Sequence, residues 1–186
     1  MEFRKELLAD INVENRIPIL RMALLMEAQI SDLIANLLGM EDYKTAKSLN
    51  KSSSLSFNQK IMLLIDIGAL DKEAQTIFTK FMEIRNVFMH DIWADTYEKC
   101  VAKIDGLEKW LLKTYEQDKN LPKELQLRSA IESLCSAVIG NTLRIVELVI
   151  ERSVGNDPMK AINAYMKGDA LKDVANHLDC VSKTIK

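Results

Sequence analysis

Glycine and proline are scarce in this sequence, six and three among 186 residues, against roughly 12% for the pair in average usage. Aromatic residues make up only 6%. A strand-rich domain of this length needs turn residues between its strands and β-branched or aromatic residues along them. The shortage of turn residues and aromatics argues against sandwiches, barrels and Gly-loop nucleotide folds, and for an all-α fold. Cysteine is also rare. Cys100, Cys135 and Cys180 are far apart and odd in number, which provides neither a disulfide framework nor a CxxC metal site. His90 and His177 are the only histidines, too few for a histidine metal cluster, and no metal or cofactor is expected. Net charge is nearly absent at −2, from 25 basic and 27 acidic residues. A strong nucleic-acid binder would be clearly basic.

What is present is a 48% apolar share, sufficient for a full core, and 28% charge, ordinary for a solvated surface. Charges at Glu2, Arg4, Lys5 and Glu6 precede any apolar stretch, so no signal peptide is expected. Arg21, Glu27 and Asp32 interrupt one long apolar pattern; Arg144 and Glu147 interrupt another. No membrane span is expected, and the reading is a cytoplasmic, reduced protein.

Helical periodicity runs over 16–38, with Asn15 as N-cap, Pro18 in the first turn and Gly39 as the stop. Residues 41–54 read as a polar loop with room for one helical turn. Ser56 and Gln59 have capping-box spacing for a short helix ending near Gly68. Asp71 opens a third helix reaching His90. A fourth is expected over 95–115, with Tyr97, Val101, Ile104, Glu108 and Leu111 at helical spacing. A linker at 117–122 separates a helical bundle, 1–117, from a helical extension, 118–186. The extension begins with a long helix over 123–153.

Two charges fall inside apolar arcs. On the first helix Leu20, Ala23, Leu24, Ile30, Ile34, Leu37 and Leu38 define an arc with Glu27 near its centre and Ser31 beside it. On the third, Ile77, Phe78, Phe81, Met82, Ile84, Phe88 and Met89 surround Arg85. An unpaired charge on an apolar face is costly. Either Glu27 and Arg85 pair, or Arg85 extends its head to solvent. Asn86 and His90, four apart, share a side of the helix. His90 at a helix end also fits a role in stabilising the helix dipole.

Arg85-Asn86-Val87-Phe88-Met89-His90 resembles the Arg-Asn-x-x-x-His signature of HEPN domains, which are all-helical and commonly dimeric. Residues 55–70 and the helix after them are similar to the mannitol-operon-repressor (MtlR-like) branch, where a Lys-containing amphipathic helix ending in Gly leads into the Arg-containing helix. The likeness covers about residues 16–115. It implies a metal-independent endoribonuclease of toxin or defence type, with His90 as acid or base, Arg85 stabilising phosphate charge, Asn86 orienting and Glu27 supporting Arg85. It also implies a homodimer with a composite site, an RNA substrate and an antitoxin or other regulatory partner protein. The alternative it offers is a noncatalytic MtlR-like transcriptional regulator or protein-interaction module.

Residues 170–186 resemble a helix-turn-helix, with Ala175 at the crossing, Asp179 in the turn and Ser182-Lys183-Thr184 opening a recognition helix. Lys172, Ser182, Lys183 and Thr184 would then contact a DNA operator. The same pattern also suits an amphipathic helix packed on the protein.

Overall fold

The computed structural model describes residues 14–40, 47–50 and 55–153, and their regular secondary structure is helical, with no strand among the described residues. The helices are α1 (Arg16–Leu37), α2 (Lys47–Asn50), α3 (Phe57–Asp66), α4 (Lys72–His90), α5 (Tyr97–Val101), α6 (Leu107–Thr114) and α7 (Lys123–Ser153). The all-α reading of the composition holds. The helix-turn-helix pattern at 170–186 and its contact candidates Lys172, Ser182, Lys183 and Thr184 lie outside the described residues.

Local signals placed several boundaries correctly. Ser56 and Gln59 form the capping box at α3: the Gln59 N–H donates to Ser56 Oγ, and the Ser56 N–H donates to Gln59 Oε1 at 2.8 Å. The Asp71 carboxylate accepts from the Ala74 N–H at 2.8 Å and starts α4. Within 41–54, expected as a polar loop with room for one helical turn, the described residues form one short helix, α2.

The expected helix over 95–115 is instead two helices, α5 and α6. The chain turns between them because Gly106 adopts φ 70°, a left-handed conformation that costs a side-chain-bearing residue energy. Lys103 and Ile104 close the preceding turn by donating to the Cys100 and Val101 carbonyls. Asn15, immediately before α1, donates from its side-chain amide to the Asp95 carbonyl at 3.1 Å.

The chain forms two compact units. One combines the described residues up to Leu24 with 71–141, and so includes α4, α5, α6 and the start of α1. Its buried stripe on α4 is Ala74, Phe78, Phe81, Ile84 and Phe88, spaced by three or four residues as an amphipathic helix requires. Phe88 meets Tyr97 edge to face with centroids 5.9 Å apart. From α7, the unit buries Leu127, Ala130, Ile131, Leu134 and Val138. Also from α7, the Glu124 carboxylate accepts from the Tyr97 and Glu98 N–H groups at 2.8 Å each, capping α5 across sequence. Residues just past the expected 117/118 boundary thus pack with the helices before it.

The other unit takes the described residues of Leu25–Leu70 and those from Thr142 to Ser153. Met26, Ile30, Leu33 and Ile34 of α1, Phe57, Ile61 and Leu64 of α3, and Ile145 and Val149 of α7 are buried there. By length and composition α7 is also apolar enough to cross a membrane. The charges expected to interrupt it leave 133–143 uncharged.

Candidate functional site

The three signature residues lie on one helix, Asn86 and His90 away from its core stripe and Arg85 at the edge of it. Phe78, Phe81, Ile84 and Phe88 hold one side of α4 in the core, while Asn86 and His90 are exposed and Arg85 is partly exposed. Arg85 is therefore not at the centre of a buried arc, as the periodicity suggested. Its guanidinium Nη1 donates to Asn86 Oδ1 at 3.0 Å, in solvent. That bond draws the cation toward the side of α4 that Asn86 shares with His90. Arg85 and His90 themselves are about 140° apart on an uninterrupted helix.

The end of α4 is fastened by residues that periodicity did not single out. Arg16, buried in the first turn of α1, donates from Nη1 to the Phe88 carbonyl at 3.3 Å and from Nη2 to the Ile92 carbonyl. A cation here answers the partial negative charge of the helix terminus. Asp91 follows His90 and pairs with Lys103 at 3.2 Å. The Trp93 N–H bond, and then Lys103, hold the Asp91 carboxyl below its ordinary value. Nothing in local spacing marks Arg16 as a partner of residues more than 70 positions away.

Glu27 belongs to the other unit, and its cationic neighbour is Lys60. Of the two alternatives open for Arg85, a pair with Glu27 or a head in solvent, the second is found, with Arg85 on Asn86 and Glu27 beside Lys60. The arc on α1 is rotated from the expected one: Met26, Ile30 and Leu33 are buried, whereas Leu24 and Leu38 are exposed. This leaves the Glu27 side chain 43% exposed and makes Lys60, at 2%, the buried charge. Lys60 Nζ donates to Ser31 Oγ at 2.9 Å and lies 3.9 Å from Glu27 Oε1; Ser31 Oγ donates to the Glu27 carbonyl at 2.7 Å. A signal was available. On α3 the buried set is Phe57, Lys60, Ile61 and Leu64, so lysine occupies an apolar-stripe position.

A serine beside a lysine is a nucleophile–base pairing in some hydrolases, but Ser31 and Lys60 are both buried and closed to substrate. Their chemistry is structural. Burial pushes the Lys60 amine below its ordinary 10.5, with Glu27 opposing the shift. Below the folded-state pKa both states carry the proton and the burial cost is fully present. Between that lowered pKa and 10.5 the unfolded chain binds more protons, so stability rises with pH. Lys60→Met fills similar space and leaves the Ser31 hydroxyl bonded to the Glu27 carbonyl. It is expected to raise stability at pH 7 by about 1–3 kcal/mol and to remove this rise. Urea denaturation followed by far-UV circular dichroism at pH 7 and pH 10 checks both; a less stable variant contradicts them.

Other reactive groups do not add to the site. Burial pushes the Cys100 and Cys135 thiols up to about 12, far from nucleophilic thiolates at neutral pH. Among the described residues no three His, Cys, Asp or Glu side chains come together to hold a metal ion. Fold and site define an all-α protein with an Arg-Asn-x-x-x-His face at the end of α4. No protein-family model, curated protein or solved structure matches the chain.

Proposed function

We infer that this protein is a HEPN-like, metal-independent endoribonuclease acting as a homodimer. The observation that carries the reading is the exposure of Asn86 and His90 on one side of α4, with the guanidinium of the partly exposed Arg85 bonded to Asn86 in solvent. Side chains serving only the core would belong on the opposite side of α4, with its phenylalanines. In the reaction His90 removes the proton from a ribose 2′-hydroxyl, whose oxygen attacks the adjacent phosphorus. The bond from phosphorus to the 5′-oxygen breaks, and that oxygen takes up a proton from water, while the His90 imidazolium returns its proton to water. Arg85 stabilises the developing phosphorane charge with planar, charge-assisted hydrogen bonds, and Asn86 orients the guanidinium. Because Arg85 and His90 diverge around α4, a second copy of the chain supplies the complementary half of each site.

The end groups of the product test this chemistry. Single-stranded RNA incubated with the full chain in EDTA is expected to give 2′,3′-cyclic phosphate and 5′-hydroxyl ends. Intact RNA, or cleavage that requires added metal, contradicts the proposal.

One observation favours a noncatalytic MtlR-like regulatory role instead. Lys80, Lys99 and Lys103, the lysines nearest the motif in sequence, pair with Glu83, Asp95 and Asp91. That leaves little unneutralised positive charge beside Arg85 for a polyanion. Intact RNA in the same assay supports this second reading.

A further inference from the structure

The turn after α4 is pinned at several points, yet it presents apolar side chains to solvent. Within it, the Trp93 N–H donates to Asp91 Oδ1 at 2.9 Å and the Ala94 N–H donates to the Asp91 carbonyl at 3.2 Å. From outside, Arg16 holds the Ile92 carbonyl and Asn15 holds the Asp95 carbonyl. Lys103 pairs with Asp91, and Lys99 with Asp95 at 2.7 Å. On this frame Met89 and Ile92 are exposed, and Trp93 is 63% exposed. Leaving an indole this exposed forgoes much of the stabilisation its burial would give, while the backbone that carries it is held by the bonds above. Trp93 follows His90 by three residues, so their Cα atoms are at most about 11 Å apart.

We propose that Trp93 is a stacking platform for one unpaired nucleobase of an RNA strand whose phosphate lies at Arg85, Asn86 and His90. The proposal rests on the ribonuclease reading and names how that site holds its substrate. Two observations favour a base over a protein partner. Three exposed side chains offer far less than the roughly 800 Å² per partner of a stable protein interface, whereas stacking needs one ring. The nearby lysines are paired with carboxylates, so affinity for a strand must come from more than charge, and stacking supplies it.

The chain has two tryptophans, and Trp110→Phe leaves Trp93 as the sole indole emitter. The probe is a 2′-O-methyl oligoadenylate of about ten nucleotides, which has no free 2′-hydroxyl and cannot be cleaved by the proposed route; its adenines supply the stacking partner. Saturable quenching of Trp93 emission is expected. In the otherwise native chain, Trp93→Ala should weaken binding about tenfold, while Trp93→Phe should stay within about threefold. Circular dichroism checks that both variants keep their helices. No quenching, or unchanged binding by a folded Trp93→Ala chain, overturns the proposal. So does emission that shifts with protein concentration but not with oligonucleotide, which assigns the indole to contact between copies. A chain that cleaves RNA without quenching loses the platform alone. One that quenches without cleaving keeps the platform and loses the ribonuclease reading.

Discussion

His90→Ala is expected to lower the rate of RNA cleavage at least about 100-fold, the lower end of the contribution from a positioned acid or base. Its stability should stay within about 0.5 kcal/mol of the native chain, because His90 is exposed and contributes nothing to the buried stripe of α4. That separation gives the measurement its force: activity falls while urea denaturation stays put. Arg85→Lys should also cleave poorly, since an ammonium keeps the charge but loses the planar fork that contacts two phosphate oxygens together. Asn86→Ala should cost less, because it frees the guanidinium without removing it. Wild-type cleavage by a folded His90→Ala chain would falsify the assignment of His90.

Phe81→Ala is expected to cost about 3–5 kcal/mol of stability. Phe81 is fully buried at the middle of the α4 stripe, and truncation removes a ring from a site whose neighbours relax only partly. Against a typical total of about 5–15 kcal/mol, the loss can unfold the unit that carries the signature residues. Trp93 and Trp110 both lie in that unit, so urea denaturation read by tryptophan emission follows its unfolding. Met89→Ala provides the contrast. Met89 is exposed on the same helix, and its truncation should change the midpoint little. Equal effects from the two substitutions would mean that α4 buries a different side.

The helical class was legible in composition because each missing breaker or aromatic residue counts against strands wherever it falls in the chain. The starts of α3 and α4 were legible because capping is local: Ser56 meets Gln59 three residues on, and Asp71 meets Ala74. Arg85, Asn86 and His90 stood out through their resemblance to the Arg-Asn-x-x-x-His signature. The break between α5 and α6 was legible only through Gly106, a single residue inside an otherwise continuous helical pattern.

Burial and partners were settled by tertiary structure. A helical wheel locates an apolar arc only approximately, and a rotation of about half of one residue's 100° exchanges the residues at its edges. That shift moved Glu27 to a half-exposed edge and made Lys60 the buried charge. It also left the Arg85 head in solvent on Asn86. The Arg16 clamp on α4 spans 72 residues to Phe88, and the Glu124 cap on α5 spans 27 to Tyr97. Such partners are chosen by how helices pack, which no local spacing encodes. The sequence by itself determined an all-helical chain carrying an Arg-Asn-x-x-x-His segment. Only the packing of α4, with its phenylalanines turned into the core, decided that Asn86 and His90 of this segment face solvent and that Arg85 reaches it with its guanidinium.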